Sequence, residues 1–412
     1  MISLEDARAA ILARIIPLGV ERVPLDLALG RTLAEGVLCR DAIPPFDNTA
    51  MDGFAADPRD LEGASALNPI RLPVVEVIEA GRPASRSLAR GEAMRIFTGA
   101  PTPSLSVPGA AVAVIPFEHC ITYDDASATF GEPIAPGAHV RHAAEDFALG
   151  SEALPGGTRL TPAALGVLAT IGCATPSVRR RPRVAVHSSG DELVPIEDAL
   201  TPGKIRNSNL TSIAARVRSW GAEPLLRPVL RDNPAAIRDG LRETLALSPD
   251  AIVTTGGISA GDLDYIREVA RELGDDVEVR KVNMKPGKPL VDGLIGGVPF
   301  FGLPGNPAAC LVSFEIFVRP ALARLEGRSD GDLPKRKARV EVGREFPKAG
   351  RLQFLRGHVH YDETRDELVL APLMGQGSHL LSSFAAANCL VRVGPECDRL
   401  NAGDLADVLL LE

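Results

Sequence analysis

The stretch DAIVTTGGISAGDLDYI, residues 250–266, decides how the chain is read. Its consecutive β-branched residues Ile252, Val253 and Thr254 predict a buried parallel strand that ends at Gly256, where the missing Cβ lets a ligand reach the backbone. Asp262 or Asp264 is placed to cap a following helix through Ile266, Val269, Ala270 and Leu273, one apolar face at helical spacing. Such a strand, loop and helix lie at the carboxyl edge of a parallel sheet, where amide N–H groups and the helix dipole favour an anion such as phosphate. The spelling GGISAG fits neither the dinucleotide fingerprint nor a P-loop. Alone, the loop is equally an ordinary glycine-rich βα turn.

Working outward, the neighbours repeat the rhythm. RVAVHSS runs into Gly190-Asp191-Glu192, and NSNLTSIAARVRSWG and PLLRPVL read as helix and strand. Arg231-Asp232-Asn233 leads into a helix with Pro234 in its first turn. VEVRKVNMKPGKPLV carries Lys285 and Lys288, and VPFFGLPGNPAACLVSFEIFVRPAL reads as a strand, a turn and a long amphipathic helix. This alternation predicts an α/β fold with a doubly wound parallel sheet. SSGDE, RDN, GGISAGDLD, MKPGKP and GLPGNP then meet at one sheet edge with two lysines and the acids Glu192, Asp232, Asp262 and Asp264. Lysines and amides neutralise phosphate, and several carboxylates hold Mg²⁺ between phosphates, so the cluster points to phosphoanhydride chemistry.

The flanks are built differently. Ser3 and Asp6 form a capping-box variant ahead of a helix stopped by Pro17, and Thr161 with Pro162 starts another. AIPPFDNTAMDGFA, residues 42–55, displays Asp52 on a turn stiffened by Pro44-Pro45 and packed by Ala50, Met51 and Phe54. Residues 70–140 are short strands, with Thr98 at the end of one. Glu145 and Asp146 follow in RHAAEDFALG, and residues 334–412 alternate as a small β-barrel or sandwich. There, Arg356 and the Ser382-Ser383 pair are candidates for gripping an oxyanion, whereas His358 and His360 read as surface residues.

Composition excludes several classes. With 412 residues, 45% hydrophobic and 24% charged, the chain is globular, and a net charge of −8 argues against an extended nucleic-acid surface. No apolar stretch reaches the roughly 18 residues of a membrane span, and MISLEDAR lacks a basic then apolar leader, so a cytoplasmic protein is expected. Six scattered cysteines without C-x-x-C argue against disulfide scaffolding and thiolate zinc.

PPFDNTAMDGFA, RIFTGAPTP, SSGDEL, TTGGISAGDLDY, MKPGKPL and GLPGNPAAC, in this order, resemble the MoeA-type molybdopterin molybdenumtransferase (molybdenum insertase) family, shared with the C-terminal domain of gephyrin. The resemblance implies four parts. These are an elongated dimerisation domain (1–41 plus 147–178), an inserted β-rich domain (42–146), a molybdopterin-binding α/β domain (179–329) and a C-terminal β-barrel (330–412). It implies a homodimer with each active site between one subunit's α/β domain and the other's inserted domain. The implied reaction is Mg²⁺-dependent insertion of molybdate into the dithiolene of adenylylated molybdopterin, with phosphoanhydride cleavage and AMP release. Carried over by motif, Glu192, Asp232 and Asp264 orient phosphate and Mg²⁺, while Lys285 and Lys288 neutralise charge. Asp52, Thr98 and Asp146 close the site from the partner. Ser188, Gly190, Gly256, Gly257, Ser259, Gly261, Gly305, Asn306 and Pro307 are the expected substrate contacts, and Lys288, Pro289, Arg356 and Ser382 the molybdate pocket. Ala144 stands where glycine is common and Thr49 where serine is common. Expected further partners are a molybdopterin adenylyltransferase and apo-molybdoenzymes, with no nucleic acid and no membrane.

Two other functions remain open at this point. A molybdopterin adenylyltransferase would use the same α/β domain without needing the AMDG turn or the two β-rich domains. A gephyrin-like scaffold would bind a peptide without catalysis.

Overall fold

The computed structural model describes every residue except 259–263, 349, 373–374 and 412. Ala251–Thr255 is a wholly buried strand, third in a six-stranded sheet. The order is Glu223–Leu226, Arg183–Ser188, Ala251–Thr255, Val298–Leu303, Pro289–Ile295 and Gly274–Lys281. The first four strands are parallel, but the last two extend the sheet antiparallel. The sheet is therefore mixed where an all-parallel one is expected. Gly296 and Gly297, both at positive φ, turn Pro289–Ile295 straight back into Val298–Leu303, and a two-residue link leaves no room for a crossover helix.

Strand alternation feeds two cores. Val184, Val186 and Val253 face Ile213 and Val217 of the helix Ser208–Ser219, while Ala185 and Ile252 face Ile237 of Pro234–Leu245 and Val269 of Ile266–Leu273. The expected caps form at Ser3, whose Oγ accepts from the Asp6 amide at 3.0 Å, and at Thr161. The helix Ile266–Leu273 departs from expectation: its N-cap is Tyr265, which makes no side-chain bond. Leu4, Ala7 and Ile11 of the helix Leu4–Ala13 lie in the α/β core, although chain order assigns them to the elongated part.

The expected long amphipathic helix is three pieces, Pro307–Ser313, a π-turn over Phe314–Val318, and Arg319–Leu325, almost wholly buried. It lies in one core with the sheet on one side and Phe354, Phe384 and Leu390 of the C-terminal region on the other, so it has no wide polar face.

The other parts are β-rich. Residues 53–130 form a six-stranded sheet with a core on each face; Phe54 and Ala56 of Gly53–Ala56 enter one, and Ala55 the other. Paired segments Val20–Arg22 with Ser177–Arg179, and Val37–Leu38 with Glu152–Leu154, bracket a small core around Leu33, Leu160 and Leu168. The C-terminal region is a seven-stranded sheet whose first strand, Met284–Lys285, comes from the α/β part and pairs in parallel with Leu352–Gly357. Among the described residues, no helix is long and apolar enough to cross a membrane.

Candidate active site at the carboxyl edge of the sheet

The loops that follow the parallel strands open into a cavity of about 1140 Å³ between the sheet edge and the C-terminal region. Gly190, Glu192, Asp232, Gly256, Gly257, Asp264, Lys285, Lys288, Pro289, Gly305, Asn306, Pro307 and Arg356 all line it. Thirteen predicted site residues, twelve from five segments at the sheet edge and Arg356 from the strand Leu352–Gly357, thus share one cavity. Gly256 shows why the spelling matters: at φ +90°, a Cβ would lie 2.6 Å from the Ser189 carbonyl oxygen. Lys285 and Lys288 are exposed into the cavity, on either side of Pro286-Gly287.

The carboxylates differ in what they do. Asp232 accepts from Ser189 Oγ at 3.1 Å and from the Asp191 amide at 3.0 Å, one bond to each oxygen, so it holds the Ser189-Gly190-Asp191 turn in place. Glu192 folds back over Gly190. Among the described residues, no group of three His, Cys, Asp or Glu side chains is close enough to hold a metal ion unaided. A Mg²⁺ ion ordinarily takes one or two carboxylates plus substrate phosphate and water, and Glu192 with Asp264 fits that habit.

Arg356 is 2% exposed. Its Nε donates to Ser383 Oγ at 3.2 Å, and its Nη2 to the carbonyl oxygens of Gly377 at 2.8 Å and Gly375 at 3.3 Å. Its own backbone is gripped on both sides by the Gln376 carboxamide. All these partners are neutral, and burial without a carboxylate beside it pushes the guanidinium below the ordinary arginine range. A cation so placed has net charge to offer an anion.

Several predicted residues lie elsewhere. Ser188 is buried, its hydroxyl donating to Asn207 Oδ1 and accepting from Thr255 Oγ1, so Ser189 is the serine that faces the cavity. Ser382 is exposed outside the cavity lining, and Ser383 is the hydroxyl that meets Arg356. Ser259, Gly261 and Asp262 lie outside the described residues. Residues that sequence reasoning missed include Ser189, Gln353, Gln376 and His379. Strand parity after Val186 was the one available signal for Ser189.

Asp52, Thr98 and Asp146 do not line the cavity. Asp52 Oδ1 accepts from both the amide and the hydroxyl of Thr98, each at 2.7 Å, and these bonds, the amide's first, hold its carboxyl below the ordinary aspartate range. Its Oδ2 has no partner among the described residues and faces solvent. Gly53 is required beside it, because a Cβ there would collide with the Ile115 carbonyl oxygen. Thr49 serves where serine is common: its Oγ1 accepts from the Met51 amide at 3.1 Å and its methyl is buried. Ala144 sits at φ +65°, which explains the usual glycine, and Asp146 beyond it is exposed.

Comparison with known proteins gives three family matches in chain order. Residues 2–172 match the MoeA N-terminal region (domain I and II), 185–324 a probable molybdopterin binding domain, and 334–411 the MoeA C-terminal region (domain IV). Molybdopterin molybdenumtransferase 2 of Mycobacterium tuberculosis is 37% identical over 92% of this chain and 92% of its own. The molybdopterin molybdenumtransferase of Haemophilus influenzae is 31% identical over 99% and 98%. A solved molybdopterin biosynthesis MoeA protein from Pyrococcus horikoshii, 27% identical, superposes over the full length of both chains with a TM-score of 0.83.

Proposed function

Because the chain belongs to the MoeA family of molybdopterin molybdenumtransferases, we propose that it inserts molybdate into the dithiolene of adenylylated molybdopterin, cleaving the phosphoanhydride and releasing AMP. One observation carries the reading: the amide-lined loops, Lys285, Lys288 and Arg356, which has no carboxylate partner among the described residues, share a single cavity with Glu192 and Asp264.

The chemistry follows from that arrangement. Breaking a P–O–P bond needs charge neutralised on both phosphates and an oxygen nucleophile, water or a molybdate oxygen, held in line; it does not need a protein nucleophile. Lys285 and Lys288 neutralise the diphosphate where Gly256 and Gly257 let it touch the backbone. Asp232 keeps the Gly190 turn from collapsing into that space. Mg²⁺, held by Glu192 and Asp264 with substrate oxygens, would supply the remaining positive charge. Arg356, Lys288 and Pro289 form the oxyanion end of the cavity, with Ser383 fixing the guanidinium.

The site is finished by a second copy of the chain. Asp52, exposed on its turn, has one oxygen pinned by Thr98 and, among the described residues, one without a partner, as suits a group offered to another subunit. The elongated part carries exposed Leu27, Leu38 and Leu149, apolar surface for a homodimer contact. The setting is the cytoplasm, where an adenylyltransferase would hand over substrate and apo-molybdoenzymes would accept product.

The test combines purified protein, adenylylated molybdopterin, Mg²⁺ and molybdate, with AMP followed by chromatography. AMP release that needs molybdate is expected. Release indifferent to molybdate would defeat the proposal, and consumption of ATP with free molybdopterin would identify an adenylyltransferase instead.

A further inference from the structure

Gln353 is 2% exposed, yet among the described residues its Nε2 has no hydrogen-bond partner. Buried polar groups are almost always paired, so the exception asks for a cause. Gln376, also on the cavity wall, shows what a structural carboxamide does: it accepts from the Arg356 amide at 2.8 Å and donates to the Arg356 carbonyl at 2.9 Å. Gln353 makes no such pair.

Its surroundings indicate what is missing. Gln353 stands in register with Lys285 across the parallel pair that joins the sheet edge to the barrel, so both side chains project to the same face. Leu355, two residues on, shares that face and belongs to the apolar cluster against which Phe346 packs; all four residues line the cavity. A carboxamide offers a donor beside an acceptor. Flanked by an aromatic ring and an aliphatic side chain, that pair matches the edge of a fused heteroaromatic ring, as glutamine matches the edge of adenine. An oxyanion would be repelled by the carbonyl half.

We propose that the lobe bounded by Lys285, Phe346, Gln353 and Leu355 binds a heteroaromatic ring of the substrate, with Gln353 reading the ring's donor–acceptor edge. This rests on the function proposed above and assigns a ring subsite within the same cavity. Lys285 then serves both neighbours, the phosphate at the loops and the ring at the barrel. Adenine and pterin both carry such an edge, and the experiment separates them.

AMP and 6-hydroxymethylpterin are titrated separately into wild type and into Gln353→Met, which keeps the volume and removes the amide. One ligand should lose about tenfold in affinity while the other changes less than twofold. Loss of AMP assigns adenine, and loss of the pterin assigns the pterin ring. The melting temperature of the variant should stay within about 2 °C of wild type, which separates recognition from folding. Unchanged affinity for both ligands, or no measurable binding of either by wild type, overturns the subsite. Molybdate-dependent AMP release by wild type is measured alongside: if it persists while the ring affinities do not respond to the substitution, the subsite alone fails.

Discussion

The sheet-edge cavity and the Asp52 turn are both built from glycine-rich loops with acidic residues, and they are opposite in shape. At the edge, the loops and the C-terminal region enclose about 1140 Å³ and bring lysines, carboxylates and a buried arginine to one cavity. At the turn, the Asp52 carboxylate stands exposed outside that cavity, with one oxygen held by Thr98. A concave wall can bind a molecule by itself; on the function proposed above, the exposed turn acts when another surface closes on it. Their difference separates binding from completion.

The sharpest way to break that division is to disable each region separately. Lys288→Met should lower molybdate-dependent AMP release by about a hundredfold or more and weaken nucleotide binding. Asp52→Asn should lower turnover at least about tenfold and leave AMP affinity unchanged, as calorimetry would show. If the turn completes the cavity of a second subunit, mixing the two impaired variants restores about a quarter of the sites, because heterodimers carry one intact pair. No recovery on mixing, with exchange verified by mass spectrometry, would place both regions in one subunit's site.

Acid should also distinguish the two regions. Burial depresses His187, on the strand leading to the cavity, to about 4; neutral, it donates from Nδ1 to the Pro228 carbonyl at 3.1 Å and accepts from Thr244 at 2.8 Å. The unfolded chain takes up a proton near pH 6.5 that the folded chain refuses, so stability falls as pH drops from there to about 4. The loss is about 3 kcal/mol, readable from urea melts across that window. His187→Gln should flatten the slope.

Asp52 shifts in the same sense, in a more acid window. Its folded carboxyl lies below the ordinary value, so its charge survives above that value and is lost only as pH falls through the depressed one. Thr98→Val removes the hydroxyl bond but not the larger amide bond, so a carboxyl NMR titration should show a modest move to higher pH. The smallest effect belongs to Ala144→Gly, which relieves a left-handed residue and should raise thermal stability by at most about 1 kcal/mol.

Much of this was legible in the chain because the signals are local. The strand 251–255, the glycines after it and the caps at Ser3 and Thr161 follow from residue type and spacing. What was not legible depends on parity or long-range pairing. Ser188 and Ser189 are adjacent, as are Ser382 and Ser383, and which member serves the site follows from partners 67 and 27 positions away in the chain. The antiparallel sheet extension and the burial of the 307–325 helix under a second domain likewise involve partners that no local period reveals. Gln353 reads locally as one more strand residue.

The parallel pairing of Met284–Lys285 with Leu352–Gln353 makes the loop that carries Lys285 and Lys288 part of the barrel's sheet. The two walls of the cavity are therefore stitched by main-chain bonds and cannot swing apart as hinged modules. Severing the chain near residue 330 would strip the C-terminal sheet of its outermost strand and bare the amides of Leu352–Gly357, a sticky border that invites aggregation.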